Sequence, residues 1–145
     1  VRLFFVLEGQ QMSGLYDNAR ELFLKGDISY DTDDIRVKLV ATAYTPNAST
    51  HTTVSDLGAN VVATSGALAS KTTTAGVADA ADITFTAVTG AECSYLVAYQ
   101  HVAGDSTDKL IAYIDQTSDS SLPVTPNGGD INVTWDSGAN KIFKL

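Results

Sequence analysis

Tyr95-Leu96-Val97-Ala98-Tyr99 and, eleven positions further on, Leu110-Ile111-Ala112-Tyr113-Ile114 decide how this chain is read. Both runs are apolar on the two faces a strand would present, and such strands are covered on both sides. The polar stretch Gly104-Asp105-Ser106-Thr107-Asp108 lies between them, so the pair is predicted to form an antiparallel hairpin. Working outward, a period of two recurs. Ile35, Val37, Leu39 and Ala41 alternate with Arg36 and Lys38, as in a half-exposed strand. Val61-Val62 reads as a short strand, and residues 64–76 as an irregular excursion or an edge strand around Lys71-Thr72-Thr73-Thr74. Ile83, Phe85 and Ala87 share one face of a further strand. Ile131, Val133 and Trp135 alternate with Asn132 and Thr134, and Lys141–Leu145 closes the pattern. Turn signals separate these runs at Tyr44–Asn47, Asp119–Ser121, Asn127-Gly128-Gly129 and Asp136–Asn140.

One segment follows a different period. Residues 13–25 predict a helix with Ser13 as N-cap, an apolar stripe of Leu15, Ala19, Leu22 and Phe23, and Gly26 as the stop. Tyr16, Phe23 and Leu24 are expected in core or interface packing. The fold class is therefore mainly β: an antiparallel β-sandwich of six to eight strands with one N-terminal helix, forming a single domain over 12–145. Its predicted core holds Leu22, Val37, Leu39, Phe85, Leu96, Val97, Ile111, Ile114, Val133, Trp135 and Phe143.

Residues 1–11 stand apart. Leu3, Phe4, Phe5, Val6 and Leu7 form the most apolar stretch of the chain, too short for a signal peptide. Two readings hold: an apolar arm that pairs as a strand with a neighbouring chain, or an extension ahead of a translation start at Met12. Glu8-Gly9 requires purine-rich codons resembling a ribosome-binding site at a typical spacing from Met12.

Composition narrows the function classes. A chain of 145 residues can bury about 70% of its unfolded surface without a metal or disulfide staple. Of 17 acidic residues, 14 are Asp, which belongs to turns and strand ends, whereas Glu belongs to helices. A net charge of −8 disfavours nucleic acid as a partner. No apolar run nears the roughly 20 residues of a membrane helix. A single cysteine, Cys93, excludes an internal disulfide and reads as a small core residue.

Chemistry-bearing residues are scattered. His51 lies in a Thr-rich loop and His101 ends a strand, neither beside a Cys or carboxylate at metal spacing. Asp27, Asp31, Asp33 and Asp34 form the densest acidic cluster and a weak calcium candidate. The loop lacks the central Gly and terminal Glu of a calcium-binding loop, so a solvated turn is the simpler reading. No nucleophile elbow, phosphate loop or dinucleotide fingerprint is present, and we expect no cofactor and no enzymatic activity.

From Met12 onward the chain resembles a family of small virion structural proteins of tailed bacteriophages. Three segments carry the resemblance: GLYDNARELFLKGDISYDTDDIRVKLV at 14–40, YLVAYQHVAGDSTDKLIAYID at 95–115, and LPVTPNGGDINVTWDSGANKIFKL at 122–145. Residues 1–11 fall outside it. The resemblance implies a head decoration (cement) or tail-associated component of the virion. It implies contact with the major capsid protein or another virion protein, and assembly as a homo-oligomer, a trimer or dimer. It supplies no catalytic positions. A carbohydrate- or receptor-binding β-sandwich is the alternative, and would expose aromatics; here Trp135, Tyr95, Tyr99 and Tyr113 sit in strands that read as buried.

Overall fold

The computed structural model describes residues 2–4, 14–115 and 121–145. The described chain is mainly β, with one helix near its start. Its elements are β1 (Arg2–Phe4), α1 (Asp17–Lys25), β2 (Ile35–Ala41), β3 (Val61–Thr64), β4 (Val77–Ala78), β5 (Ile83–Phe85), β6 (Cys93–Gln100), β7 (Lys109–Ile114), β8 (Ile131–Thr134) and β9 (Phe143–Lys144). Three sheets result, in the orders β3-β2-β6-β7, β1-β8-β5 and β4-β9. Every pairing is antiparallel except β1 with β8.

The predicted hairpin is β6–β7, running from Leu96 opposite Ile114 to Gln100 opposite Lys109. β2 lies on the other side of β6, from Ile35 opposite Gln100 to Ala41 opposite Cys93. Register shifts interrupt all three ladders of this sheet, and such bulges bend a strand and sharpen its twist. Both faces are covered, as the apolar runs require. On one face Ile35, Val37, Leu39, Leu96 and Ala98 are at most 2% exposed. On the other, Tyr16 meets Tyr113 edge-on at 5.5 Å and Tyr44 meets Tyr95 at 5.7 Å. Phe85, Ile131 and Val133 from the small sheet and Ala78 and Phe143 from the third join one continuous core, as the layers of a sandwich do.

Several expectations need correction. The helix begins at Asp17 rather than Ser13, and its N-cap is Tyr16, without a side-chain cap. The cause is tertiary pairing. Tyr113 N–H donates to Gly14 O at 2.8 Å, Tyr16 N–H donates to Ile111 O at 3.0 Å, and Leu15 bridges Ala112. Residues 14–16 thus extend the sheet along β7. Gly14 is required there, since a Cβ would fall 2.3 Å from the Tyr113 ring. The first free helical donor, Asp17 N–H, bonds Ala48 O at 2.9 Å, which does the work of a cap. Ser13 itself lies outside the described residues. At the other end Gly26 adopts φ +77° and closes the helix, as expected.

All the predicted core residues are buried except Leu22, which is half-buried on the flank of the core. Leu24 is 90% exposed and plays no part in it. β5 stops at Phe85, because Ala87 has φ +49° and leaves the strand. β9 is likewise shorter than Lys141–Leu145, since Lys141 has φ +49°. β2 is not half-exposed. Lys38 is 7% exposed, its Nζ 4.9 Å from the centre of the Tyr99 ring and 3.1 Å from Thr64 Oγ1. Of the two readings of 64–76, the irregular excursion is found beyond Thr64, with a bridge from Thr72 to Asp79 and a 3-10 turn over Thr74–Gly76.

Of the five candidate interface residues, Leu3 and Phe4 fall in β1, whose partner is β8 of the same chain. Phe5, Val6 and Leu7 lie outside the described residues.

Candidate functional site

Three polar constellations contain the titratable groups singled out above. The first closes the β6–β7 hairpin. Asp108, 2% exposed, sits at the end of the loop. Its Oδ1 accepts the backbone N–H of Val102, Ala103 and Gly104 at 2.8, 3.1 and 3.1 Å. Its Oδ2 accepts from His101 Nδ1 at 2.8 Å. Burial alone would push this carboxyl up; the bonds from His101 and from the Val102 and Ala103 N–H groups outweigh it and hold the carboxyl below its usual range. The carboxylate is fully occupied inside its own loop. Those four donors all come from residues 101–104, so it shapes the hairpin. His101, expected in isolation from any carboxylate, is thus paired with one.

The second constellation lies where residues 44–51 cross the large sheet. The Tyr16 and Tyr44 hydroxyls are 2.8 Å apart, and the Tyr44 hydroxyl is 2.8 Å from His51 Nδ1. Burial pushes the Tyr16 phenol far above its ordinary value, and the Tyr44 bond adds to this. The chain Tyr16–Tyr44–His51 gives each buried hydroxyl a hydrogen-bond partner. Nearby, Asp56 closes a capping box with Thr53. The Thr53 and Thr52 backbone N–H groups hold its carboxyl below the usual range against some burial.

The third is the Asp-rich turn. Asp33 Oδ2 accepts from Ser29 N–H and from Gln100 Nε2, both at 2.8 Å. Asp31 Oδ1 accepts from Ser29 Oγ at 3.0 Å. Asp34 takes both ends of the Arg36 guanidinium, at 2.9 and 2.7 Å, and that pairing lowers its carboxyl. Asp27 contributes its backbone carbonyl to Gln100 Nε2. The carboxylates of Asp31, Asp33 and Asp34 are therefore held by Ser29, Gln100 and Arg36. Among the described residues, no three His, Cys, Asp or Glu side chains come together as a metal-binding group.

Cys93 is buried, and burial pushes its thiol up to about 11, which makes it a poor nucleophile. Trp135 is 6% exposed, and its indole N–H donates to Ala81 O at 3.1 Å. Tyr99 is buried, while Tyr95 and Tyr113 are half-buried against the core. A groove of about 530 Å³ runs between two sheet edges, with Val62, Thr64 and Ser65 on one wall and Thr84, Thr86 and Thr89 on the other. Its lining carries no charged residue and no aromatic except Phe85.

Sequence reasoning missed the buried roles of Asp108 and Lys38. Asp108 reads as one more turn aspartate, and Lys38 as the outward position of an alternating strand. In comparison with known proteins, the chain matches no family model and no curated sequence.

Proposed function

We propose that this chain is a non-enzymatic virion structural protein: a capsid decoration, or cement, protein on the outer face of a tailed-phage head. It would contact the major capsid protein and further copies of itself, as a trimer or dimer. One observation carries the reading. The three segments that resemble phage virion proteins supply α1, β2, β6, β7, β8 and β9, the framework of the core. What they have in common with that family is the means of building a rigid body. The polar groups described above are engaged in holding loops and turns, which fits a protein that acts by contact.

A second reading, a tail or fibre-base component, rests on the same resemblance and differs in stoichiometry. The carbohydrate-binding reading is disfavoured by Trp135, whose ring is packed away and so cannot serve as a sugar platform. Quantifying the protein against the shell protein in purified particles separates the first two readings. Hundreds of copies per particle are expected; a handful to dozens would transfer the assignment to the tail. Particles stripped of the protein should also lose resistance to heat and osmotic shock. Equal resistance would end the cement role.

A further inference from the structure

β8 has two neighbours of different kinds. On one side β5 pairs with it in the usual antiparallel way, Ile83 opposite Val133 and Phe85 opposite Ile131. On the other side lies β1, parallel, with Arg2 opposite Asn132, Leu3 opposite Val133 and Phe4 opposite Thr134. β1 is at the end of its sheet and pairs with no other strand among the described residues. Remove it, and β8 presents an open row of backbone donors and acceptors beside the buried Ile131 and Val133. Such an edge is a template for another strand.

We propose that the outer edge of β8 is a strand-exchange site whose second occupant is Arg2–Phe4 of another copy of this chain. The closed form contains a three-position backbone ladder. Any identical segment reproduces it in the same register, so exchange creates no new kind of contact and loses none. Three paired positions at the end of a sheet offer few backbone bonds to break, unlike the seven of β2 with β6. What favours the closed form is tethering. β1 and β8 belong to one chain, and such covalent linkage gives an effective concentration on the order of 1 mM. In dilute solution a β1 that is paired with β8 is therefore the chain's own. Where copies crowd to similar concentrations, as on a shared surface, exchange between neighbours competes. Concentration alone selects between a closed monomer and linked copies.

The inference rests on strand order and not on the virion assignment, and it is tested on the isolated 145-residue chain. In the double variant Arg2→Cys, Asn132→Cys, a short bismaleimide should give an intramolecular link at about 10 µM, well below the tethered concentration. Next, an isotope-labelled Arg2→Cys chain is mixed with an unlabelled Asn132→Cys chain. Only exchange brings these two positions together in register. The mixed link should rise as the total concentration goes from about 10 µM to about 1 mM, approaching the intramolecular yield there. A Thr73→Cys chain, exposed on the 3-10 turn, replaces Asn132→Cys as the control for chance collision. Circular dichroism verifies that each variant is folded. Absence of the intramolecular link in a folded double variant would show that β1 does not sit on β8. An intramolecular link with no mixed link, or a mixed link equal to the Thr73→Cys control, would overturn exchange.

Discussion

The β3-β2-β6-β7 sheet and the β1-β8-β5 sheet are built from the same kinds of residue and held in different ways. In the large sheet the central ladder pairs all of β2 with β6, and side chains bury both faces. In the small one, each outer strand contributes only three paired positions. Its hold on the molecule comes from Phe85, Ile131 and Val133 reaching the common core. The large sheet is stabilised by burial, the small one by anchoring at a few points. At its edge, β1 is paired with β8 over three positions.

The sharpest way to break this contrast is to empty an anchor. Trp135, directly after β8, should cost about 3–5 kcal/mol as Trp135→Ala, comparable with Leu96→Ala at about 2–5 kcal/mol in the centre of the large sheet. Denaturant titration of both variants measures this. A loss below about 1 kcal/mol for Trp135→Ala would mean that the small sheet is not anchored there.

Next in size is Asp108. Asp108→Ala leaves three backbone donors in the hairpin loop without their acceptor and should cost about 2–3 kcal/mol. The sign with pH is set by the lowered carboxyl. Its contribution is complete above the unfolded carboxylate value of about 3.9 and is lost as pH falls through the lower folded value. Acid titration of stability should therefore be shallower in Asp108→Asn than in the unaltered chain. Identical acid limbs would show that the loop does not depend on that charge.

Tyr16→Phe removes one hydroxyl from the Tyr16–Tyr44–His51 chain and keeps the packing on Tyr113. About 1 kcal/mol is expected, since Tyr44 retains its bond to His51. The smallest effect belongs to β1. Deleting Arg2–Phe4 should change monomer stability by less than about 1 kcal/mol, because net backbone bonding and the entropy of ordering three residues nearly cancel. A larger loss by calorimetry would make β1 part of the core framework.

The large sheet was legible in the sequence because its strands leave clear patterns: the alternation of Ile35–Ala41 gives the bounds of β2, and the unbroken apolar runs 95–99 and 110–114 lie within β6 and β7. The helix start was not legible, because Tyr16 and Asp17 are satisfied by Ile111 and Ala48, far along the chain. Local cap chemistry pointed to Ser13 in their place. The same limit applied to Asp108. Its partners Val102–Gly104 are close in sequence, but only the closed loop turns their N–H groups inward. Ala87 and Lys141 look like strand residues by pattern, but both have φ +49°, a conformation that side-chain alternation does not reveal. The Asp-rich turn was correctly suspected of being a turn. Its ties to Gln100 and Lys71 depend on elements that no spacing rule brings near it.

The pairing of β2 with β6 also sets a timetable. Ala41 ends the first strand and Gln100 ends its partner, a gap of 59 residues. A ribosome adding about 5–20 residues per second needs roughly 3–12 s to cross it. Throughout that interval the newborn segment Ile35–Ala41 is without the neighbour that will cover it. Arg36 and Lys38 split what would otherwise be seven uninterrupted apolar positions, the interruption that keeps an unpartnered strand from clumping. Lys38, buried once the sheet is complete, thus carries an exposed charge during the seconds before β6 is made.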